Sequence, residues 1–169
     1  MLRITALPFL FVLLLAAPSQ AAVHVLQAVA DGASANAGAG TGSPGTGVLD
    51  ITLDDVSGAV TWTGSFSGLL AGVSVAHVHG PALPTQNAGV VFGTTITPGP
   101  GGLSGTTVGA AGVTAGQVAD MLAGLTYWNV HSSFAPGGEI RGQIYVVPEP
   151  GTALLMGLGL IGIAARRRA

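Results

Sequence analysis

The sequence predicts an all-β fold: an antiparallel Greek-key sandwich or barrel with one short helix. It also predicts a signal peptide before this domain and a C-terminal transmembrane helix after it. Three observations support the prediction: short segments alternate apolar and polar residues, 28 glycines and 10 prolines separate them, and a single segment has helical spacing. The mean hydropathy of +0.64 is raised by two apolar terminal runs and does not describe a membrane-embedded domain.

The first segment, residues 1–21, has the layout of a secretory signal peptide. Arg3 supplies a basic start, residues 7–17 form an apolar run, and residues 19–21 supply the small side chains of a cleavage site. The apolar run is shorter than the roughly 20 residues that a membrane span requires. We therefore expect signal peptidase to cut after residue 21, so that a domain of residues 22–147 is exported.

The strand pattern is clearest in residues 49–54 and 60–66, where apolar and polar side chains alternate. Residues 55–58 supply a turn, so the two segments predict a hairpin. Its inward face holds six apolar side chains: Leu49, Ile51, Leu53, Val60, Trp62 and Phe66. Further strands are predicted at residues 23–30, 72–79, 89–97, 125–132 and 139–147. Residues 31–47 are rich in glycine, alanine and serine, which predicts a flexible loop.

One helix is predicted within the domain, over residues 114–122. Thr114 and Gln117 have the spacing of a capping box, in which each side chain bonds to the backbone of the other residue. Gly124 stands where a helix-ending glycine is expected. One face of the helix is apolar, with Val118, Met121 and Leu122.

Charge is sparse, at 7 % of residues, and the chain has neither lysine nor cysteine. The segment between the two terminal segments contains one arginine, Arg141, and six acidic residues, so its net charge is about −5 with neutral histidines. The acidic residues are Asp31, Asp50, Asp54, Asp55, Asp120 and Glu139. Such a surface repels phosphate backbones and excludes nucleic-acid binding. The absence of cysteine excludes disulfides, thiolate metal ligands and cysteine nucleophiles.

The C-terminal segment, residues 148–169, combines three elements in a fixed order. Pro148, Glu149 and Pro150 are expected to end the last strand, residues 152–165 are apolar or small and predict a helix, and a basic cluster follows: Arg166, Arg167 and Arg168. Such a helix inserts with its arginines on the cytoplasmic side, and this one is short for a full span. An ordinary C-terminal membrane anchor is one interpretation.

The same three elements closely resemble the PEP-CTERM sorting signal of exopolysaccharide-producing Gram-negative bacteria. The resemblance implies that an exosortase recognises Pro148-Glu149-Pro150 and cuts near it. The protein would then be anchored only transiently in the inner membrane, before it reaches the cell envelope, the surface or the extracellular matrix.

Histidines are concentrated on two predicted strands. His77 and His79 are two residues apart, so their imidazoles point to the same side of their strand. His131 shares a face with Tyr127 and Asn129 on another strand. If residues 125–132 and 139–147 form a hairpin, His131 lies near Glu139 or Arg141 across the turn.

These residues support two interpretations. Neutral imidazoles suit zinc or copper, and a carboxylate can complete or orient the ligand shell, which predicts a metal site of His77, His79, His131 and Glu139. The alternative is a buried hydrogen-bond network that ties two strands to a glycine-rich turn. For Arg141, an ion pair with Glu139 is preferred to an anion-binding role.

Three blocks of sequence closely resemble the CHRD domain, named from chordin: His77-Val78-His79-Gly80-Pro81-Ala82, Tyr127-Trp128-Asn129-Val130-His131-Ser132, and residues 136–144. The resemblance covers about residues 23–146. Trp128 stands where the family more often has an aliphatic residue, and Ser132 replaces a threonine; we expect both at outward or half-buried positions. The family occurs in secreted proteins of bacteria and animals, so the resemblance implies a fold and its boundaries more than a function.

The chain contains no nucleophile motif, phosphate-binding loop or paired-carboxylate arrangement. The sequence therefore predicts an exported, non-catalytic module that is sorted to the cell surface or the exopolysaccharide matrix. Its predicted partners are exopolysaccharide or other surface proteins. The alternative is a metal-binding domain that carries zinc or copper at the histidines and has redox or hydrolytic activity.

Overall fold

The computed structural model describes residues 21–148 and residue 151. The predicted signal peptide up to residue 20, the pair Glu149 and Pro150, and the apolar tail with its three arginines lie outside the described residues. No helix in the described part of the chain is both long and apolar enough to cross a membrane.

Residues 21–148 form one antiparallel sheet of nine strands and one α-helix, α1 (Ala115–Leu122). The strands are β1 (Val23–Asp31), β2 (Thr46–Asp54), β3 (Ala59–Ser67), β4 (Val73–His79), β5 (Val90–Gly93), β6 (Ile96–Pro98), β7 (Gly105–Gly112), β8 (Tyr127–Ser132) and β9 (Ile140–Val146). The predicted class, antiparallel all-β with a short helix, is confirmed.

The sheet curls until its two edges meet. The strand order is β5-β4-β8-β9-β1-β2-β3-β7-β6, so β5 and β6 are the edge strands. Only Thr94 and Thr95 lie between these two strands in the chain. The three steps from Gly93 to Ile96 span at most about 11 Å, so both edges must lie side by side. One curled sheet therefore encloses the core, an arrangement closer to the predicted barrel than to a sandwich of two sheets.

The inside of the curl is filled by side chains that alternate along the strands. All six apolar residues predicted to face inward from the β2–β3 hairpin are buried, and Trp62 is the most exposed of them at 6 %. The other strands and the helix add Leu26, Ala28, Ala30, Ala76, Val78, Val118, Met121, Trp128, Val130, Ile140 and Ile144. Burying one large aliphatic or aromatic side chain contributes about 1.5–3 kcal/mol, so this packing holds a fold that has no disulfide.

Helix α1 begins and ends as the sequence predicts. The Thr114 backbone N–H donates to Gln117 Oε1 at 2.8 Å, and the Gln117 N–H donates to Thr114 Oγ1 at 3.3 Å, which completes the capping box. Gly124 follows the helix with a φ of 72°, a conformation that favours glycine. The helix covers the core with Val118 and Met121.

Strand β7 is missed by the sequence pattern because it consists of small residues. Two of its three glycines face aromatic rings of the neighbouring strand β3: a Cβ added at Gly109 would lie 2.5 Å from Trp62 Cζ2, and one at Gly105 would lie 2.7 Å from Phe66 Cζ. The Trp62 Nε1–H also donates to Thr107 Oγ1 of β7 at 3.0 Å. The strand is poor in apolar side chains because the rings of β3 occupy their space.

Gly109→Ala is expected to lower the free energy of unfolding by about 1–3 kcal/mol, because the added methyl group overpacks the Trp62 ring. The melting temperature should fall by several degrees. Gly112→Ala is the matched control on the same strand, since a Cβ there meets no atom within 4 Å. Thermal unfolding of the two variants checks this, and equal melting temperatures would contradict the assigned role of Gly109.

Strand β8 also differs from expectation. Trp128 and Ser132 are both fully buried, so their predicted outward or half-buried positions are wrong. All six residues of β8 are buried, because the core covers one face of this central strand and loops cover the other. The Trp128 indole N–H donates to Thr94 Oγ1 at 3.2 Å, which links β8 to the connection between β5 and β6.

Candidate metal centre

Three histidines meet on the outer face of strands β4 and β8. His77 and His79 point away from the core, as their spacing predicts, while Ala76 and Val78 point into it. The register places His131 opposite Val75, one diagonal step from His77. The ring centroids lie 5.5 Å apart for His77 and His79, 5.2 Å for His77 and His131, and 5.8 Å for His79 and His131.

The three imidazoles also bring one nitrogen each into a small volume. His77 Nδ1 and His131 Nε2 are 3.4 Å apart. The nitrogens that the three residues can offer to a metal lie within 4.8 Å of one another. His79 and His131 are nearly buried, at 8 % and 9 % exposure, whereas His77 is half-buried and forms the accessible side of the cluster.

Backbone carbonyls orient two of the rings. His79 Nδ1 lies 3.0 Å from the Ala88 carbonyl oxygen, and His131 Nδ1 lies 2.8 Å from the Pro136 carbonyl oxygen. A carbonyl oxygen only accepts, so both Nδ1 atoms carry the proton and the Nε2 atoms of the neutral rings present lone pairs. Both rings therefore aim an unprotonated nitrogen at the cluster, as metal-binding histidines do.

The surroundings favour neutral rings. Burial lowers the pKa of His77 and of His79, and the neighbouring imidazole of His131 lowers both further. His79 Nε2 is buried and has no hydrogen-bond partner in the described part of the chain. Burial of a polar nitrogen without a hydrogen-bond partner costs free energy, so the position of this atom requires a ligand or another physical explanation.

The loop of residues 82–88 covers His79 and is held in place by two residues of the neighbouring strands. The Tyr127 ring stacks on His79 with centroids 5.0 Å apart, and the Arg141 guanidinium carbon lies 3.5 Å above the centroid of the Tyr127 ring. The Ala88 N–H donates to Tyr127 Oη at 3.2 Å. Arg141 donates to the carbonyl oxygens of Leu83 and Gln86 at 3.0 and 2.8 Å.

On the other side of the cluster, Asn129 binds the glycine turn that follows β8. Its Nδ2 donates to the Gly137 carbonyl oxygen at 3.0 Å and lies 3.4 Å from His131 Nε2. A Cβ at Gly138 would collide with the Asn129 amide, so glycine is required where the turn crosses this side chain. The same turn supplies the Pro136 carbonyl that orients His131.

Glu139, predicted as the fourth member of the metal site, is not part of the three-histidine group. Its buried carboxylate accepts hydrogen bonds from Ser43 Oγ and from the Leu70 N–H, both at 2.6 Å, and from Ser132 Oγ. Thr41 Oγ1 donates to the Glu139 carbonyl oxygen at 2.8 Å. Glu139 therefore anchors the segment before β2, so the loop predicted to be flexible over residues 31–47 is tied to the start of β9 by hydrogen bonds from Thr41 and Ser43.

The preferred ion pair between Arg141 and Glu139 is wrong. Among residues 21–148 the one contact within 4 Å between a basic side chain and a carboxylate joins His24 and Asp55. Arg141 is buried without a carboxylate and donates to carbonyl and amide oxygens instead, and this burial lowers its pKa. The sequence gives one indication that Arg141 has a structural role, because it is the single arginine in an otherwise weakly charged domain.

The fold and this site define a small antiparallel β-domain with a histidine-bearing outer face. The family model of the CHRD domain matches residues 26–144, and the chain therefore belongs to the CHRD family. The model of the PEP-CTERM protein-sorting motif matches residues 146–168. Both predicted resemblances are confirmed. Comparison with curated proteins gives no match.

The two matches carry a general functional conclusion. The sorting motif indicates export and delivery to the cell envelope or surface, with processing by an exosortase. The CHRD domain and the sorting motif are both non-catalytic types of sequence. The chain is therefore a surface-sorted protein whose described residues 21–148 form one β-domain.

Proposed function

We propose that this protein is a non-catalytic extracellular module, released from its membrane tail by an exosortase and retained in the exopolysaccharide matrix of a Gram-negative bacterium. One observation carries the proposal: the CHRD match ends at residue 144, and the sorting motif begins at residue 146. Signal peptidase removes residues 1–21 in this proposal, and the exosortase cuts near Pro148-Glu149-Pro150.

The end of the fold is compatible with such a cut. Strand β9 ends at Val146, and the Val147 N–H makes a final bond to the Val25 carbonyl oxygen at 2.8 Å. Pro148 is exposed, so the motif begins where the chain leaves the sheet. Cleavage after this point removes no described strand and leaves the core intact.

The outer face of β2, β3 and β7 supports association with a hydrated polysaccharide. Its exposed side chains are mostly small hydroxyls: Thr46, Thr52, Thr61, Thr63, Ser65, Ser67 and Thr106. Thr52 lies opposite Thr61, and Thr46 lies opposite Ser67. Hydroxyls both donate and accept hydrogen bonds, and the low charge of the domain does not require a charged partner.

Replacing Pro148, Glu149 and Pro150 by alanines is expected to keep the protein in the membrane fraction of cells that have an active exosortase. The unmodified protein should lose Arg166, Arg167 and Arg168 and leave that fraction. Mass spectrometry of the C-terminal peptide and fractionation of cells, matrix and medium measure both effects.

Pro98→Ala, at an exposed position on β6, is the control and should be processed normally. An unmodified protein that keeps its arginines in these cells would contradict the cleavage. A processed protein that appears entirely in the medium would contradict retention in the matrix. His77→Ala should leave both processing and matrix association unchanged, because neither depends on the histidines in this proposal.

A further inference from the structure

We propose that His77, His79 and His131 form a binding site for one zinc- or copper-class metal ion, a property that goes beyond the proposed surface role. The ion would take one nitrogen from each imidazole. A fourth position would remain open for water or a small ligand on the side of His77, the most accessible of the three.

The distances between the nitrogens are suited to such an ion. Zinc–nitrogen bonds of about 2.0–2.1 Å in a tetrahedral site place two nitrogens about 3.4 Å apart. His77 Nδ1 and His131 Nε2 already have this separation. The nitrogens that the three residues can offer lie at most 4.8 Å from one another. Side-chain rotations that move these nitrogens by roughly an ångström would therefore bring all three to bonding distance from one ion.

The hydrogen bonds around the rings prepare them as ligands. The carbonyls of Ala88 and Pro136 hold the protons of His79 and His131 on Nδ1, away from the cluster. This is the arrangement in which an outer partner fixes the tautomer of a metal-binding histidine.

A purely structural hydrogen-bond network explains the cluster less well. In such a network each buried imidazole nitrogen should have a donor or an acceptor. His79 Nε2 is buried and has neither among the described residues, although the centroid of its ring lies within 5.8 Å of the centroids of the other two rings. A metal ion would satisfy this lone pair, whereas the Asn129 amide lies beside His131 instead.

The donor set selects the class of metal. The three-residue group contains only imidazoles, and the chain has no cysteine. Magnesium and calcium require oxygen ligands, so neither is expected here. Imidazole nitrogens suit zinc and copper, and copper(II) generally binds such ligands more tightly than zinc.

Metal binding to the full-length chain, purified in mild detergent without a polyhistidine tag and stripped with a chelator, tests this proposal. One equivalent of Zn²⁺ or Cu²⁺ should remain bound after dialysis. At about 100 times the Kd, the melting temperature should rise by about 5–10 °C. Mg²⁺ and Ca²⁺ should have no effect. Absence of bound Zn²⁺ and Cu²⁺, with no thermal shift, would overturn the proposal and support the structural network.

His77→Ala is the principal variant, because this half-buried ring makes no hydrogen bond to a backbone carbonyl and its loss carries the least risk for the fold. We expect its metal affinity to fall at least about 100-fold, since loss of an outer partner alone costs about 10–100-fold. His79→Gln should have a similar effect. Circular dichroism confirms that each variant is folded, and a folded His77→Ala that binds as tightly as the unmodified protein would refute the site.

The fourth histidine of the chain supplies the matched control. His24 lies on β1, and its Nε2 is 3.0 Å from Asp55 Oδ2. His24→Gln should retain one metal ion per chain with unchanged affinity. Loss of binding in this variant would assign the ion to His24 and contradict the three-histidine site.

Discussion

Replacing Glu139 with alanine is expected to lower the free energy of unfolding by about 3–5 kcal/mol, a large part of the stability of a domain of this size. The Glu139 carboxylate is fully buried and accepts three hydrogen bonds, from Ser43, Leu70 and Ser132. Alanine would leave these donors without an acceptor and open a cavity among them. The segment before β2 and the start of β9 would lose their common anchor.

Denaturant unfolding of the two proteins measures this loss. Glu139→Gln should recover only part of it, because the amide retains one acceptor oxygen but points an N–H₂ group at existing donors. Asp50→Ala is the control: Asp50 is exposed, accepts one bond from Gln27 at 2.7 Å, and should change stability by no more than about 0.5 kcal/mol. Similar losses for Glu139→Ala and Asp50→Ala would contradict the anchoring role.

Glu139→Gln also separates this role from that of a metal ligand. If Glu139 only anchors the loops, folded Glu139→Gln should bind Zn²⁺ as the unmodified protein does. A large loss of Zn²⁺ affinity in the folded variant would restore Glu139 to the predicted ligand set.

Arg141→Met is expected to cost about 2–4 kcal/mol and to loosen the loop of residues 82–88. The methionine keeps an apolar stem against Tyr127 but removes every guanidinium donor. The carbonyl oxygens of Leu83 and Gln86 would lose their donors at 3.0 and 2.8 Å. Ala88 lies in the same loop, where its carbonyl oxygen binds His79 Nδ1 and its N–H donates to Tyr127 Oη. The contacts that hold the His79 ring should therefore loosen as well.

Hydrogen exchange localises the effect of Arg141→Met. Amides of residues 82–88 should exchange faster at denaturant concentrations where the global fold persists, whereas those of the β2–β3 hairpin should not change. Arg141→Lys should rescue little, because one ammonium group cannot reproduce the planar fork that reaches two carbonyls above the Tyr127 ring. Unchanged exchange in residues 82–88 would contradict the role of Arg141.

Local patterns were sufficient for much of the fold. Period-two alternation locates β1–β4, β8 and β9, and the capping box locates α1 within one or two residues of its bounds. The same patterns miss β7, because its glycines are matched to the rings of Trp62 and Phe66 on another strand. They also merge β5 and β6, which the structure separates at Thr94 and Thr95 and assigns to opposite edges of the sheet.

The candidate site shows the same division. Spacing alone places His77 and His79 on one face, and Tyr127, Asn129 and His131 together on another. It does not reveal that Glu139, which lies just before β9, turns toward Ser43 and Leu70. Those partners are 96 and 69 residues away along the chain, and no local periodicity reports such contacts.

The sequence by itself determined the antiparallel β class, the family, the sorting motif, and the histidine pair on one strand. These features depend on local composition and on residue spacing, which set the side of a strand to which each side chain points. Tertiary structure alone decided that β4 pairs with β8, that Glu139 lies outside the three-histidine cluster, and that Arg141 is buried without a carboxylate. The physical reason is that strand register and sheet curl arise from packing between distant segments, so they determine which of the side chains on a face become neighbours.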